Sequence, residues 1–210
     1  MLAANELYER LLAAYGTPPW WSDNPVTVMA QAVMVQNTSW AAVERATERL
    51  AQPLTAEYLY GLADDELAEL IRPSGFAKRK AATIKALMVW YKGYGFCQQT
   101  VEREAQGKLR TELLAVKGIG EETADAIQLY AFHKPAFVMD AYTRRLMERL
   151  GISMSTDDER RAYFTGGLSR DYTVYGSYHW LILEHGKEHC RKTPLCDTCP
   201  LSDICAYPSR

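Results

Sequence analysis

Leu113-Leu-Ala-Val-Lys-Gly-Ile-Gly-Glu-Glu-Thr-Ala-Asp-Ala-Ile127 is the stretch that decides the fold. Its apolar residues fall at helical spacing on both sides of a Gly118-Ile-Gly120 break, which reads as helix, hairpin and second helix. Gly118 and Gly120 are expected to supply positive φ and bare backbone N–H groups. The turn and the following helix N-terminus then suit a phosphate, although a plain helix connection has the same spacing.

Helical spacing continues outward in nearly every segment, and no alternating β-branched run flanked by hairpin turns interrupts it. Glycine and proline breaks at Gly16, Pro25, Pro53, Pro73, Gly95, Pro135, Gly151 and Gly166 divide the chain into about ten short helices. The sequence therefore predicts an all-α protein. No repeat, low-complexity tract or Pro/Ser-rich linker separates the segments, so any domains are expected to pack closely.

A chain of 210 residues with 48% hydrophobic content is large enough to bury a substantial core. Its first residues, MLAANELYERLLAAYG, are amphipathic and acidic, unlike a targeting peptide, and no long apolar run follows. A soluble cytoplasmic protein without a membrane partner is the expectation. The formal charge of −2 carries no global nucleic-acid signature, so a nucleic-acid case rests on local clusters. Three exist: Lys78, Arg79, Lys80 and Lys85; Arg144, Arg145 and Arg149; and Lys187, Arg191 and Lys192. Each is by itself also the pattern of a solvated face.

Cys190, Cys196, Cys199 and Cys205 follow C-x5-C-x2-C-x5-C, compact enough for four thiolates to gather round one centre. A reducing compartment disfavours disulfides. Zinc is the stronger rival, but zinc ligands usually pair as two short knuckles, whereas three unequal gaps suit a cubane. Cys97, beside Phe96, reads as an ordinary core thiol.

After the second helix, Phe137-Val-Met-Asp140-Ala-Tyr-Thr-Arg-Arg-Leu146 places an acid after three apolar residues and at the head of another helix. Aspartate is a favoured N-cap, and a residue can both cap and catalyse.

Hairpin, aspartate and cysteine loop in this order resemble the endonuclease III superfamily of helix-hairpin-helix DNA glycosylases across nearly the whole chain. Gly118-Ile-Gly-Glu-Glu-Thr-Ala124 is similar to the family hairpin, and Val138-Met-Asp140 stands where the family places its catalytic aspartate. Tyr178-His-Trp-Leu-Ile-Leu-Glu-His-Gly-Lys187 resembles the helix leading into the cluster, and Gly75-Phe-Ala-Lys-Arg-Lys80 a turn near the DNA backbone. The resemblance implies two helical domains: residues 24–134 with the hairpin at 113–127, and residues 1–23 with 135–210, carrying the cluster loop at 190–205. It also implies a [4Fe-4S] cluster, although the first cysteine gap is one residue shorter than the six usual in the family.

Bifunctional members carry a lysine immediately before the hairpin's Thr-Ala, where this chain has Glu122. A carboxylate cannot form the Schiff base that leads to strand cleavage. Trp20-Trp21, Val35-Gln-Asn-Thr38 and the acid after Gly118-Ile-Gly resemble the 3-methyladenine glycosylase branch, some members of which lack the cysteine loop. The implied activity is monofunctional excision of an alkylated purine from double-stranded DNA by a monomer. The alternatives are a mismatch or oxidised-base glycosylase and a non-catalytic damage binder. The resemblance gives Asp140 catalysis and the four cysteines the cluster. Gln36, Gly118, Gly120, Lys80, Arg191 and Lys192 fall to DNA contact, and Trp20, Trp21, Asn37 and Lys187 to the substrate pocket.

Overall fold

The computed structural model describes residues 2–207. Among the described residues there are twelve α-helices, one 3-10 turn and no strand. The chain divides into two compact units: Trp21–Lys134, and the residues up to Trp20 together with those from Pro135 onward.

The first unit contains α2 (Pro25–Met34), α3 (Trp40–Thr47), α4 (Ala56–Gly61), α5 (Asp64–Leu70), α6 (Ala77–Lys92), α7 (Gln98–Glu104), α8 (Leu109–Ala115) and α9 (Glu121–Phe132). Its centre is α2 against α9. Residues 28–34 of α2 and 123–132 of α9 are buried on every side, as expected of core helices rather than surface ones. Asn24 starts α2 by accepting the Val26 and Thr27 amides at 2.9 and 3.3 Å, ahead of a proline at the first helical position. Its amide nitrogen donates to Leu54 O at 2.8 Å, which ties the α2 cap to the start of α4.

The second unit contains α1 (Ala4–Tyr15), α10 (Ala141–Arg149), α11 (Asp157–Gly166) and α12 (Tyr172–Glu188). Leu7 and Leu11 put one face of α1 into the core against α12, and Gly16, with φ +73°, ends the helix. Tyr178 on α12 donates to Ala4 O at 2.8 Å. Phe137 stacks on Phe164 at 4.3 Å between ring centres, and both pack edge-on against Tyr178. This core seats the extended residues that lead to Asp140. Thr156 and Glu159 form a reciprocal capping box at the start of α11.

Candidate functional site

The hairpin joins α8 to α9 within the first unit. Gly118 has φ +95°, and a Cβ there would lie 2.1 Å from Thr83 Oγ1, so both backbone and space require glycine. Gly120 corrects the expectation from sequence. It is an extended N-cap with φ −98°, and a Cβ placed on it would meet nothing within 4 Å. Glu122 is exposed on the first turn of that helix.

Gln36 Nε2 donates to Gly118 O at 3.2 Å and to Thr123 Oγ1 at 3.0 Å, joining the end of α2 to the hairpin. Asn37 beside it is exposed with φ +54°. Trp21 forms an aromatic group with Trp40 (5.5 Å) and Tyr130 (5.2 Å), and its indole donates to Gln31 Oε1 at 2.7 Å. Trp40 is 38% exposed, leaving an open ring beside the half-buried Trp21 and the buried Tyr130. Trp20 belongs to the other unit, where it packs edge-on against Tyr172 at 5.7 Å.

Lys80 is not a surface cation. It is 1% exposed, and its ammonium donates to Met34 O at 2.7 Å and Ser74 O at 2.6 Å. A KRK run reads as solvated, but the helical turn of α6 directs its third member inward to two carbonyls left over at the ends of α2 and the 3-10 turn Arg72–Ser74. Burial holds its pKa below the ordinary lysine value, with help from the neighbouring Arg79 charge. Lys85 likewise serves carbonyls, donating to Leu62 O at 2.6 Å and also to Tyr60 O. Lys78 and Arg79 remain exposed at this turn, with Arg79 stacked on the 63% exposed Phe76 ring.

In the second unit Asp140 caps α10, its Oδ1 accepting the Thr143 amide at 2.7 Å. It is only 6% exposed. His179 on α12, also 6% exposed, places Nε2 3.6 Å from Asp140 Oδ2. Burial by itself drives this carboxyl upward, but His179 and Thr143 together outweigh it, and the group lies below its ordinary value. Asp140 is thus a buried, ionised carboxylate. His179 was not singled out from sequence: 39 residues separate it from its partner, and a histidine in an apolar helix carries no local signal.

Cys190, Cys196, Cys199 and Cys205 line one small cavity, walled by Leu146 and Leu150 among others. Burial pushes the Cys199 thiol up, and although the Leu201 backbone opposes it, the charges of the other three cysteines push the same way. Among the described residues no group of three or more His, Cys, Asp or Glu side chains is placed to hold a metal ion. The loop is gripped from α10. Arg149 Nη1 donates to Arg191 O at 2.7 Å and Cys190 Sγ at 3.3 Å, Nη2 donates to Lys192 O at 3.1 Å, and Arg145 Nε donates to Cys190 O at 2.7 Å. On the far wall His185 Nε2 is 3.9 Å from Cys199 Sγ, and its Nδ1 is 2.9 Å from the Tyr15 hydroxyl.

These contacts resolve the second basic cluster: Arg145 and Arg149 organise the loop, and Arg144 pairs with Asp157 at 2.6 Å. Lys187, Arg191 and Lys192 are exposed, Lys187 pairing with Glu184 at 3.3 Å. Cys97 is no core thiol. It is half-buried at the N-cap of α7, and hydrogen bonding from Thr100 lowers its pKa.

The fold and hairpin define the class: the chain belongs to the HhH-GPD superfamily of base excision DNA repair proteins, whose family model matches residues 30–166. It is 39% identical over 207 residues to a protein of Methanocaldococcus jannaschii to which DNA repair glycosylase activity is ascribed, covering 95% of this chain and 94% of the relative. It is 31% identical to endonuclease III of Sulfolobus acidocaldarius over 144 residues, 67% of this chain and 62% of that one. The crystal structure of the Helicobacter pylori 3-methyladenine DNA glycosylase bound to 1,N6-ethenoadenine superposes with a TM-score of 0.79 at 27% identity, covering 92% of this chain and all of that one. No helix among the described residues is long and apolar enough to cross a membrane.

Proposed function

We propose that this protein is a monofunctional DNA glycosylase that hydrolyses the N-glycosidic bond of an alkylated purine, of the 3-methyladenine kind, extruded from double-stranded DNA. The observation that carries the reading is Asp140: 6% exposed, yet with its carboxyl below the ordinary value. Breaking the glycosidic bond builds positive charge on the sugar. A preorganised carboxylate in a water-poor seat stabilises that charge and orients the attacking water. An alkylated purine already carries positive charge and departs without a strong acid, while aromatic faces of the Trp21, Trp40 and Tyr130 kind hold cationic rings. The bound modified adenine of the Helicobacter pylori relative supports the same substrate class. Glu122 at the hairpin offers no amine for a Schiff base, so strand cleavage is not part of the proposed activity.

We further propose that the four loop cysteines hold a [4Fe-4S] cluster. A cubane gives each thiolate its own iron, and what supports the reading is that all four cysteines border the same cavity. When bound, the cluster would supply folding of the tail and no electron to a hydrolysis. The chain's own part is to hold the loop through Arg145 and Arg149 and to present Arg191 and Lys192 to phosphates.

The test is a duplex panel carrying 3-methyladenine, 7-methylguanine, hypoxanthine, uracil or thymine glycol, incubated with the unmodified protein and with Asp140→Asn. The expected result is release of alkylated purines, with strand breaks only after alkali. Asn keeps the cap of α10, so the variant should stay folded and bind the damaged duplex while base release falls at least about a thousandfold. Undiminished release would remove Asp140 from the mechanism, breaks without alkali would remove monofunctionality, and release from no duplex would leave a DNA-damage binder.

A further inference from the structure

An N-cap requires one side-chain oxygen. Asp140 Oδ1 meets that need through the Thr143 amide at 2.7 Å, so the second oxygen is surplus to the helix. Oδ2 nevertheless faces a different element, α12, where His179 Nε2 lies 3.6 Å away, an ion-pair separation longer than a hydrogen bond, with both residues 6% exposed. A carboxylate kept solely to cap α10 would gain nothing from losing its water and acquiring an imidazole on its free side.

We propose that His179 is a positioning residue of the glycosylase reaction: it fixes the plane of the Asp140 carboxylate from Oδ2 while Thr143 fixes it from Oδ1. The inference rests on the reading of Asp140 as the catalytic carboxylate and adds the group that makes its geometry reproducible. The Thr143 hydrogen bond on one oxygen and the His179 contact on the other restrict rotation about the Cβ–Cγ bond and leave lone pairs for the sugar and the attacking water. The groups acting on Asp140 are Thr143 from its own helix and His179 from α12, both working against burial. Without His179 only Thr143 opposes burial, so the carboxyl protonates more readily and turns more freely.

The experiment compares His179→Leu, His179→Gln and the unmodified protein in single-turnover excision from an alkylated duplex across acid to mildly alkaline pH. Affinity for a duplex carrying an abasic analogue and thermal stability are measured alongside. His179→Leu should lower the neutral-pH rate about tenfold or more and move the acid limb of the profile to higher pH. Duplex affinity should change less than threefold. His179→Gln retains an N–H donor and should recover part of the rate. Carbon NMR of the Asp140 carboxyl in the unmodified protein, which needs no variant to fold, should show it titrating below the ordinary aspartate range. A pH–rate profile identical to that of the unmodified protein in a folded His179→Leu, or an ordinary Asp140 titration, overturns the proposal. Asp140→Asn separates the two claims: if it stays active, the role of Asp140 itself fails, and if it is inactive while His179→Leu is unaltered, only the positioning role fails.

Discussion

Replacing Gly118 with alanine tests the hairpin directly. The added methyl would sit 2.1 Å from Thr83 Oγ1 and 3.0 Å from Thr83 Cγ2, on a backbone with φ +95°. The conformation costs about 1–3 kcal/mol for a residue with a Cβ. Overpacking against a threonine that is only 5% exposed costs about another 1–3 kcal/mol. The sum, about 2–6 kcal/mol, is a large fraction of the stability of an ordinary domain. Urea unfolding followed by far-ultraviolet circular dichroism would measure it. The two parts separate in a Thr83→Ala background, where the oxygen and methyl in the way are gone and only the Thr83 Cβ at 3.1 Å remains. There the cost of Gly118→Ala should fall by about 1–3 kcal/mol, leaving the backbone contribution. Because Gln36 bonds Gly118 O, the single variant should also bind a damaged duplex less tightly. A cost below about 0.5 kcal/mol, or one unchanged by Thr83→Ala, would refute the packing argument.

Arg149→Met should purify with less iron per chain than the unmodified protein and lose what it has to a chelator at least about threefold faster, since three bonds to the loop disappear; equal iron content and equal loss would refute the clamp. Asp157, held down to about 2 by Arg144 foremost and also by Arg160, contributes stability that is fully present above the unfolded carboxyl value near 4 and lost as pH falls toward 2. Asp157→Asn should therefore cost about 1 kcal/mol at neutral pH once solvent screening is allowed for, and denaturant midpoints of variant and parent should converge as pH falls from about 4 toward about 2. A gap constant with pH would refute the ion-pair account.

Features written in neighbouring residues were legible. The Gly-x-Gly hairpin, the Asp140 cap and the spacing of the loop cysteines all act within a few residues, so sequence exposes them. Features made by tertiary approach were not. Lys80 and Arg79 are adjacent and alike in sequence, yet one residue's step around the helix sends Lys80 to two buried carbonyls and leaves Arg79 outside. The Arg144, Arg145 and Arg149 cluster resembled a basic surface because nothing local reveals an acceptor 13 or 45 residues away. Trp20 and Trp21, neighbours in the chain, part company at the unit boundary and pack on different partners. Gly120 shows the converse: its type is legible in the sequence, but its extended backbone and the open space around it impose no need for glycine.

One unit is continuous in the chain, and the other is assembled from its two flanks. On a ribosome the first helix therefore emerges long before the segments it packs against and waits while the whole of 21–134 is made. At about 5–20 residues per second that wait lasts about 6 to 23 seconds. The continuous unit can fold during this interval, whereas Leu7 and Leu11 stay exposed to solvent or a chaperone until α12 arrives. The contacts that end the wait lie near opposite ends of the chain: Tyr15 with His185 and His189, and Arg10 with Asp203. Trimming either segment would thus remove parts of the same structure, because His185 and His189, which border the cysteine loop, are held by Tyr15 of the first helix.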